Sequence, residues 1–399
     1  MAVRSVYDLD IPELAGATLI TEGLSAVRPS ANREQWLVKM PFGFMLTRYE
    51  DITAVLRDGR FHSAVHLMPG SSAQDILPED TTISILQAEG AEHTRLRRLV
   101  LPAFLKGSVD KYRPFMAQLV TELVDKVAAA GRCEFGKDIC YPFPVQVICE
   151  LLGAPKEDWP LFSQWVDDIA RRFDNDVAND LEDIKRGTKG LNNYVLAMIE
   201  DRRTRPADDL ISHLIAIEEQ GDRLSTKELV KMLEVLLFAG TDTTRNQLGC
   251  CVATLLQHDQ WSVLVERPEL MIQAVEECLR FMGTIRGTVR IASEDIEYRG
   301  VLFPKGTFLM PAFTSGNRDA EIWDEPEVFD ITKERGMRSS MTFGSGVHTC
   351  LGSQLARAEL QEALSVLTRR WPNLALDGPI EWKPVNEGIW GPAKLPLRF

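Results

Sequence analysis

Hydrophobic positions recur with helical spacing along much of this chain. Residues 118–129, 161–172 and 181–202 place apolar side chains three and four apart, the period of a helix with one buried face. Residues 351–371 do the same, with Leu355, Leu364 and Leu367 on one face. Residues 36–48 (WLVKMPFGFMLTR) predict a short hairpin turning at Pro41 and Gly43. Between 288 and 313 the pattern changes. VRIAS, DIEYRG, VLFP and TFLMPAF are brief apolar runs split by Gly and Pro, which predicts short strands. The C-terminal stretch reads as loops and short strands. The predicted class is mainly α with a smaller β-rich region.

The longest predicted helix, 226–257, departs from the amphipathic rule. Leu229, Val230, Met232, Leu233, Val235, Leu236, Leu237, Phe238 and Ala239 leave it almost no polar face, so it should cross the core. Ala239-Gly240-Thr241-Asp242-Thr243-Thr244 then interrupts the apolar run. A mid-helix glycine costs about 1 kcal/mol relative to alanine. A buried aspartate is costly unless paired. Several local rules broken together in a core element point to a functional site. Gly240 would let a flat group approach the backbone, and Asp242 and Thr243 offer a carboxyl and a hydroxyl for proton handling. A bent helix with a solvated aspartate fits the same residues.

Composition narrows the class. The chain has 399 residues, 45% hydrophobic and 26% charged, which excludes a disordered or collagen-like protein. Its formal charge of −13 makes nucleic acid and anionic lipid poor partners. No repeat or linker divides it, so residues 1–399 read as a single domain, although length alone would suggest two or three. MAVRSVYDLD resembles neither a signal peptide nor an anchor, and no apolar run approaches the ~20 residues of a membrane span. The expectation is a soluble cytoplasmic protein. Seven cysteines without a CxxC pair fit neither a disulfide scaffold nor a structural zinc site, so most should be small buried hydrophobes. His62 and His66 stand four apart but lack a third ligand.

Cys350 is different. It lies in Phe343-Gly344-Ser345-Gly346-Val347-His348-Thr349-Cys350-Leu351-Gly352, at the mouth of the last predicted helix. A helix N-terminus favours thiolate. A thiolate presented by a glycine-rich loop is a metal ligand or a nucleophile. As a nucleophile it would use His348 as base. As a ligand to haem iron it would leave His348 free to hold a propionate.

This loop resembles that of the cytochrome P450 family, specifically its soluble bacterial members, at Phe343, Gly346, Cys350 and Gly352, with Leu355-Ala356-Arg357 continuing the match. Further similarities follow in family order over roughly residues 35–399. EHTRLRRLVLPAF (92–104) resembles the helix that gives His93 and Arg97 to haem propionates. AGTDTT (239–244) resembles the oxygen-groove segment. Glu277-Cys278-Leu279-Arg280 resembles the family's Glu-x-x-Arg, although Glu92–Arg95 and Glu200–Arg203 share that spacing. Arg290 resembles a third propionate ligand. Two positions depart: Gly90-Ala91 replaces a proline pair, and Thr284 replaces the proline after Glu-x-x-Arg.

The resemblance implies a single triangular, mostly helical domain with a β-rich edge. It implies haem b (iron protoporphyrin IX) ligated by Cys350, with cofactor contacts from His93, Arg97, Ala239, Gly240, Arg290, Phe343, Gly344, His348 and Gly352. The implied reaction inserts one oxygen atom from O2 into a C–H bond or a double bond, with Asp242 and Thr243 handling protons. It implies a structural triad of Glu277, Arg280 and an upstream arginine, for which Arg335 competes with Lys333. The substrate wall would come from 64–90, about 165–173, Leu236, Ile285, Gly287, Thr288, Ile389 and Trp390, and it suits a terpenoid, steroid or aromatic molecule. Arg286 would meet either a substrate carboxylate or solvent.

No dinucleotide glycine motif or second redox domain is present, so electrons must come from a separate protein. Arg95, Arg97, Arg98, Lys106, Lys111 and Arg113 stand against one local acid, Asp110, over 93–113. That basic patch could dock an acidic ferredoxin or flavodoxin, or be an ordinary solvated helix face. A peroxide-driven haem enzyme, a haem-thiolate ligand sensor and a cysteine hydrolase are the competing readings. The Asp242–Thr243 pair disfavours the first two.

Overall fold

The computed structural model describes residues 3–16, 27–30, 32, 35–67, 82–171, 177–218, 224–336, 338–385 and 388–399. Its principal helices are α1 (Tyr49–Arg57), α2 (Gly90–Val100), α3 (Arg113–Ala128), α4 (Pro142–Leu152), α5 (Trp159–Ala170), α6 (Val177–Thr204), α7 (Leu210–Glu218), α8 (Thr226–Gln257), α9 (Met271–Phe281) and α10 (Ser353–Arg370). The class is mainly α with a small β-rich region, as the hydrophobic pattern predicts.

Helix α8 spans the predicted 226–257 without a break. Ser225 accepts the Glu228 N–H, and the Glu228 carboxylate accepts the Ser225 N–H, so a capping box fixes its start. Leu233, Leu237, Leu248, Cys251 and Leu255 are fully buried, and α8 packs against α4, α5, α6, α9 and α10. Its glycines mark the closest approaches. A Cβ at Gly240 would lie 2.6 Å from Ile148 Cδ1, and one at Gly249 would lie 2.7 Å from Pro392 Cγ. Gly240 thus gives room to the Ile148 side chain where α4 crosses α8, a contact the sequence did not show.

A five-stranded sheet joins β1 (Leu37–Met40), β2 (Gly43–Leu46), β3 (Phe61–Ser63), β4 (Arg290–Ala292) and β5 (Phe308–Pro311) in the order β1-β2-β5-β4-β3. β1 and β2 are the predicted hairpin. Only β2 and β5 run parallel. The register sets Ser63 opposite Arg290, at the edge where the sheet meets the helices. One apolar cluster fills the helical region and another the sheet region. A cavity lies between them, lined by Leu56 and Phe313 from the sheet side and Ile148 and Leu236 from the helical side.

His62 lies on β3 and His66 on the following turn, so they do not share a helix face. The side chain of His66 is outside the described residues. Cys140, Cys149, Cys250, Cys251 and Cys278 are buried and Cys133 is half-buried. No described helix is long and apolar enough to cross a membrane.

Candidate active site

The loop before α10 presents Cys350 to the cavity. Gly344 and Gly346 have φ of +68° and +73°, and a Cβ at Gly346 would meet the Leu56 carbonyl oxygen at 2.0 Å. Glycine is needed at 346 on both grounds. The Cys350 N–H donates to the Phe343 carbonyl (2.8 Å), closing the loop. The sequence predicts a depressed thiol pKa. Its side chain is exposed to the open cavity, but desolvation by the protein packed around it raises the pKa, while the Gly352 N–H and the charges of Arg97 and Arg357 oppose that rise without cancelling it. Arg357 lies 4.5 Å from the centre of the Phe343 ring and is tied to Glu276 at 2.5 and 3.1 Å.

Leu236, Ala239, Gly240 and Thr243 of α8 line the cavity, as do Phe343, Gly344, His348 and Gly352. Thr243 Oγ1 donates to the Ala239 carbonyl at 2.6 Å. Asp242, in contrast, is not a lining residue. It is buried, with its Oδ1 3.2 Å from Asn246 Nδ2 and 3.6 Å from Arg245 Nε. Arg245 in turn binds Asp167 of α5 at 2.5 Å and stands 4.2 Å from the centre of the Tyr141 ring. The expected pair is thus split, with the hydroxyl on the cavity and the carboxylate held by an arginine beside it.

Beside the cysteine loop stand four basic side chains. His93, Arg97, Arg290 and His348 all line the cavity. The rings of His93 and His348 lie 4.3 Å apart, and His348 Nε2 lies 3.0 Å from Glu89 Oε1. Burial, then the neighbouring His348 and Arg97, lowers the His93 pKa to about 4. Burial lowers the Arg290 pKa to about 10, against the opposing charge of Glu89. Arg290 donates to the Val289 carbonyl at 2.8 Å, but its buried Nε has no hydrogen-bond partner. Among the described residues neither Arg97 nor Arg290 forms an ion pair.

The predicted structural triad forms. Glu277 and Arg280 are each 2% exposed and meet at 2.8 Å through two parallel contacts. Arg335 completes the cluster, reaching the Glu277 carboxylate at 2.7 and 3.1 Å. Lys333 instead joins Asp324 and Glu325.

The substrate wall differs from expectation. Ile285 and Thr288 line the cavity, but Gly287, Ile389 and Trp390 do not. Gly287 forms a backbone bridge with Ala312. Trp390 stacks on Trp382 with ring centres 4.7 Å apart. Within 64–90, Val65, Ile85 and Leu86 contribute; 68–81 lie outside the described residues. No residue of 165–171 lines the cavity, and 172–173 are outside the described residues. Arg286 donates to the Val385 carbonyl and lies 5.3 Å from the centre of the Trp390 ring, so it faces the C-terminal hairpin formed by the antiparallel pair Glu381–Trp382 and Pro392–Lys394.

Sequence reading missed Ile148, Thr244, Gln247 and Glu359, which also line the cavity. Glu359 is 1% exposed, Oε1 lacks a hydrogen-bond partner, and burial raises its pKa well above the usual carboxyl range despite the Thr244 hydroxyl. A signal existed: Glu359 falls four residues from both Leu355 and Ala363 on the apolar stripe of α10.

The basic patch is largely neutralised. Arg95 pairs with Glu92 and Glu228, Lys106 with Asp110, and Arg113 with Asp110 and Glu362. Glu228 and Glu362 come from α8 and α10, far away in sequence. Arg98 and Lys111 remain on the exposed surface, while Arg97 turns into the cavity.

Known proteins resemble this chain in sequence and fold. The family model described as "Cytochrome P450" matches residues 42–262 and 264–372. The chain is 36% identical to nocardicin C N-oxygenase of Nocardia uniformis subsp. tsuyamanensis, over 91% of this chain and 92% of that one. It is 35% identical to mycinamicin IV hydroxylase/epoxidase of Micromonospora griseorubida, over 99% and 97%. Vitamin D(3) 25-hydroxylase of Pseudonocardia autotrophica is 38% identical over 84% and 81%. Among solved structures, P450BioI bound to an acyl carrier protein ligated with hexadec-9Z-enoic acid superposes with a TM-score of 0.82. It is 32% identical and covers 90% of this chain and 92% of its own. Likeness at this level along nearly the whole length means that this chain belongs to the cytochrome P450 family, soluble bacterial type, and is an oxidoreductase whose cofactor is haem b.

Proposed function

We propose that this enzyme inserts one oxygen atom from O2 into a hydrophobic small molecule, by hydroxylation or epoxidation, as a single domain over residues 1–399 in the cytoplasm. The observation that carries this reading is the company Cys350 keeps. Arg97 and Arg290 are cations without an ion pair, facing the same cavity as the thiol. A buried cation calls for an anion. The two carboxylates of haem answer it, and the buried unpartnered Nε of Arg290 supplies a donor in want of an acceptor. The residues therefore fit the cofactor. Cys350 would ligate the iron, and Arg97, Arg290, His93 and His348 would hold the carboxylates. When bound, haem with a thiolate ligand supplies the O2 activation and the oxidising power.

The protein residues do the rest. Leu236, Ile285, Val65, Ile148 and Phe104 offer an apolar wall that orients a hydrophobic substrate and excludes water. Thr243 holds a proton at Oγ1 on the cavity side. Arg245 holds the Asp242 carboxylate one helical position away, and Asp167, 45% exposed, continues that charged line toward solvent. Electrons come from a separate ferredoxin or flavodoxin. Its contacts would fall on the exposed side of the predicted patch, at Arg98 and Lys111. The substrate class is a terpenoid, steroid or aromatic molecule, and the relatives named for mycinamicin IV and vitamin D(3) support an organic small-molecule substrate.

Optical titration of the ferric protein with steroids, terpenes, fatty acids and aromatic acids tests this. A low- to high-spin shift with one hydrophobic class is expected. A shift only with small polar anions would overturn the substrate class, and absence of a haem band after reconstitution would overturn the cofactor assignment.

A further inference from the structure

Thr284 begins the cavity wall that runs to Thr288, and both residues line the cavity with Ile285. The far end of that wall is tied to the strand side. The Thr288 N–H donates to the Pro311 carbonyl (3.2 Å), and the Thr314 N–H donates to the Arg286 carbonyl (3.2 Å). The near end is held by three groups of Thr284, beside the Arg286 side chain, which reaches the Val385 carbonyl. The Thr284 N–H donates to Gln247 Oε1 of α8 at 2.9 Å. Its Oγ1 donates to the Trp390 carbonyl at 2.5 Å. Its carbonyl accepts the Trp390 N–H at 3.2 Å.

Each partner is itself fixed. Gln247 is 3% exposed, and its Nε2 donates to the Met282 carbonyl at 3.0 Å. Trp390 stacks on Trp382 at an interplanar angle of 7°, and its Nε1 donates to the Lys383 carbonyl at 2.9 Å. The next residue, Gly391, sits so close to α8 that a Cβ would meet Asn246 Oδ1 at 2.8 Å. The C-terminal hairpin is thus seated on α8, and Thr284 joins both to the wall. Proline could not make this joint, because it has no N–H for Gln247.

We propose that Thr284 is a specificity-determining positioning residue. By fastening one end of the 284–288 wall to Gln247 and Trp390, it sets how far that wall yields to a bulky ligand. Trp390 acts on the pocket through this joint rather than by lining it. The inference rests on the reading of the cavity as the substrate side of a haem site.

The test uses the haem-loaded protein with Thr284→Val, Thr284→Ser and Thr284→Pro. Amide exchange is followed over 283–289, and haem-band titrations compare imidazole with the bulky azole clotrimazole. Loss of a buried hydrogen bond corresponds to about a five-fold change in a local equilibrium. Thr284→Val should speed exchange by about five-fold or more. It should also change the ratio of the two dissociation constants by a similar factor, with imidazole affinity itself nearly constant. Thr284→Ser should behave as the unaltered protein, and Thr284→Pro should exceed Thr284→Val. Unchanged exchange in Thr284→Val would overturn the clamp. Faster exchange with an unchanged affinity ratio would reduce Thr284 to a structural residue and overturn the specificity claim. If neither azole shifts the band of the unaltered protein, the haem-site reading fails instead, and the exchange measurement still decides the clamp.

Discussion

Two of the molecule's clusters of buried charge differ in one respect: one is complete and the other is not. Around Glu277, each charged group has its opposite: Arg280 and Arg335 share one carboxylate, and their remaining N–H groups reach the carbonyls of Asn317, Pro326 and Val328. Around Cys350, Arg97 and Arg290 face the cavity and, among the described residues, neither forms an ion pair. A satisfied cluster fixes the fold, because breaking it strands a charge. An unsatisfied cluster of cations is a site, because its missing partner must come from outside the chain. The family motifs contain both kinds of arginine, and only the pairing separates them.

The sharpest break of this comparison is Glu277→Gln. It strands two buried guanidinium groups and should cost about 3–5 kcal/mol of stability. Denaturant unfolding of the apoprotein checks it. Arg290→Met should act in the opposite sense. Removing a buried cation with an unpartnered Nε should leave the apoprotein as stable or more stable by about 1 kcal/mol. Haem affinity should nevertheless fall, which a haem titration reads. If the two substitutions destabilise the apoprotein alike, the distinction between the clusters is wrong.

Acid should separate the clusters too. The His93 pKa is lowered to about 4 from 6.5. The folded state therefore refuses a proton that the unfolded chain accepts, and apoprotein stability falls as pH drops from about 6.5 to about 4. Glu277 is pushed up by burial but pulled further down by hydrogen bonds from Arg280 and Arg335, and ends below its usual 4.5. Its contribution is present above pH about 4.5 and is lost as pH falls through its lower folded value. Apoprotein unfolding against pH should show the first loss before the second. Haem carboxylates beside His93 should shrink the first loss and leave the second.

Thr243→Val is a smaller change in structure and concerns chemistry alone. Stability should move by less than about 1 kcal/mol. Peroxide released per electron pair should rise at the expense of product, as measured with a substrate found by titration. Full coupling would remove Thr243 from proton handling.

The fold was legible where one element's own pattern decides it. Helix α8 and the hairpin at 37–46 follow from spacing and from Pro and Gly. The triad was legible as a motif, and Arg335 was separable from Lys333 only by resemblance. What stayed hidden depends on distant elements meeting. Gly240 answers to Ile148 of α4, Arg95 to Glu228, and Arg113 to Glu362, none of which lies nearby in sequence. Asp242 shows the limit most clearly. Its neighbours Arg245 and Asn246 were visible one helical turn away, but the Asp167 that anchors Arg245 comes from α5.

The central claim is that Cys350 presents a thiolate to haem iron in a cavity whose cations await its carboxylates. The most direct measurement is the optical spectrum of the reconstituted, reduced protein under carbon monoxide, for the unaltered chain and Cys350→Ser. Thiolate ligation predicts a strongly red-shifted haem band in the unaltered protein that is absent from Cys350→Ser. An imidazole-type band in the unaltered protein, or the same band in both, would contradict the assignment.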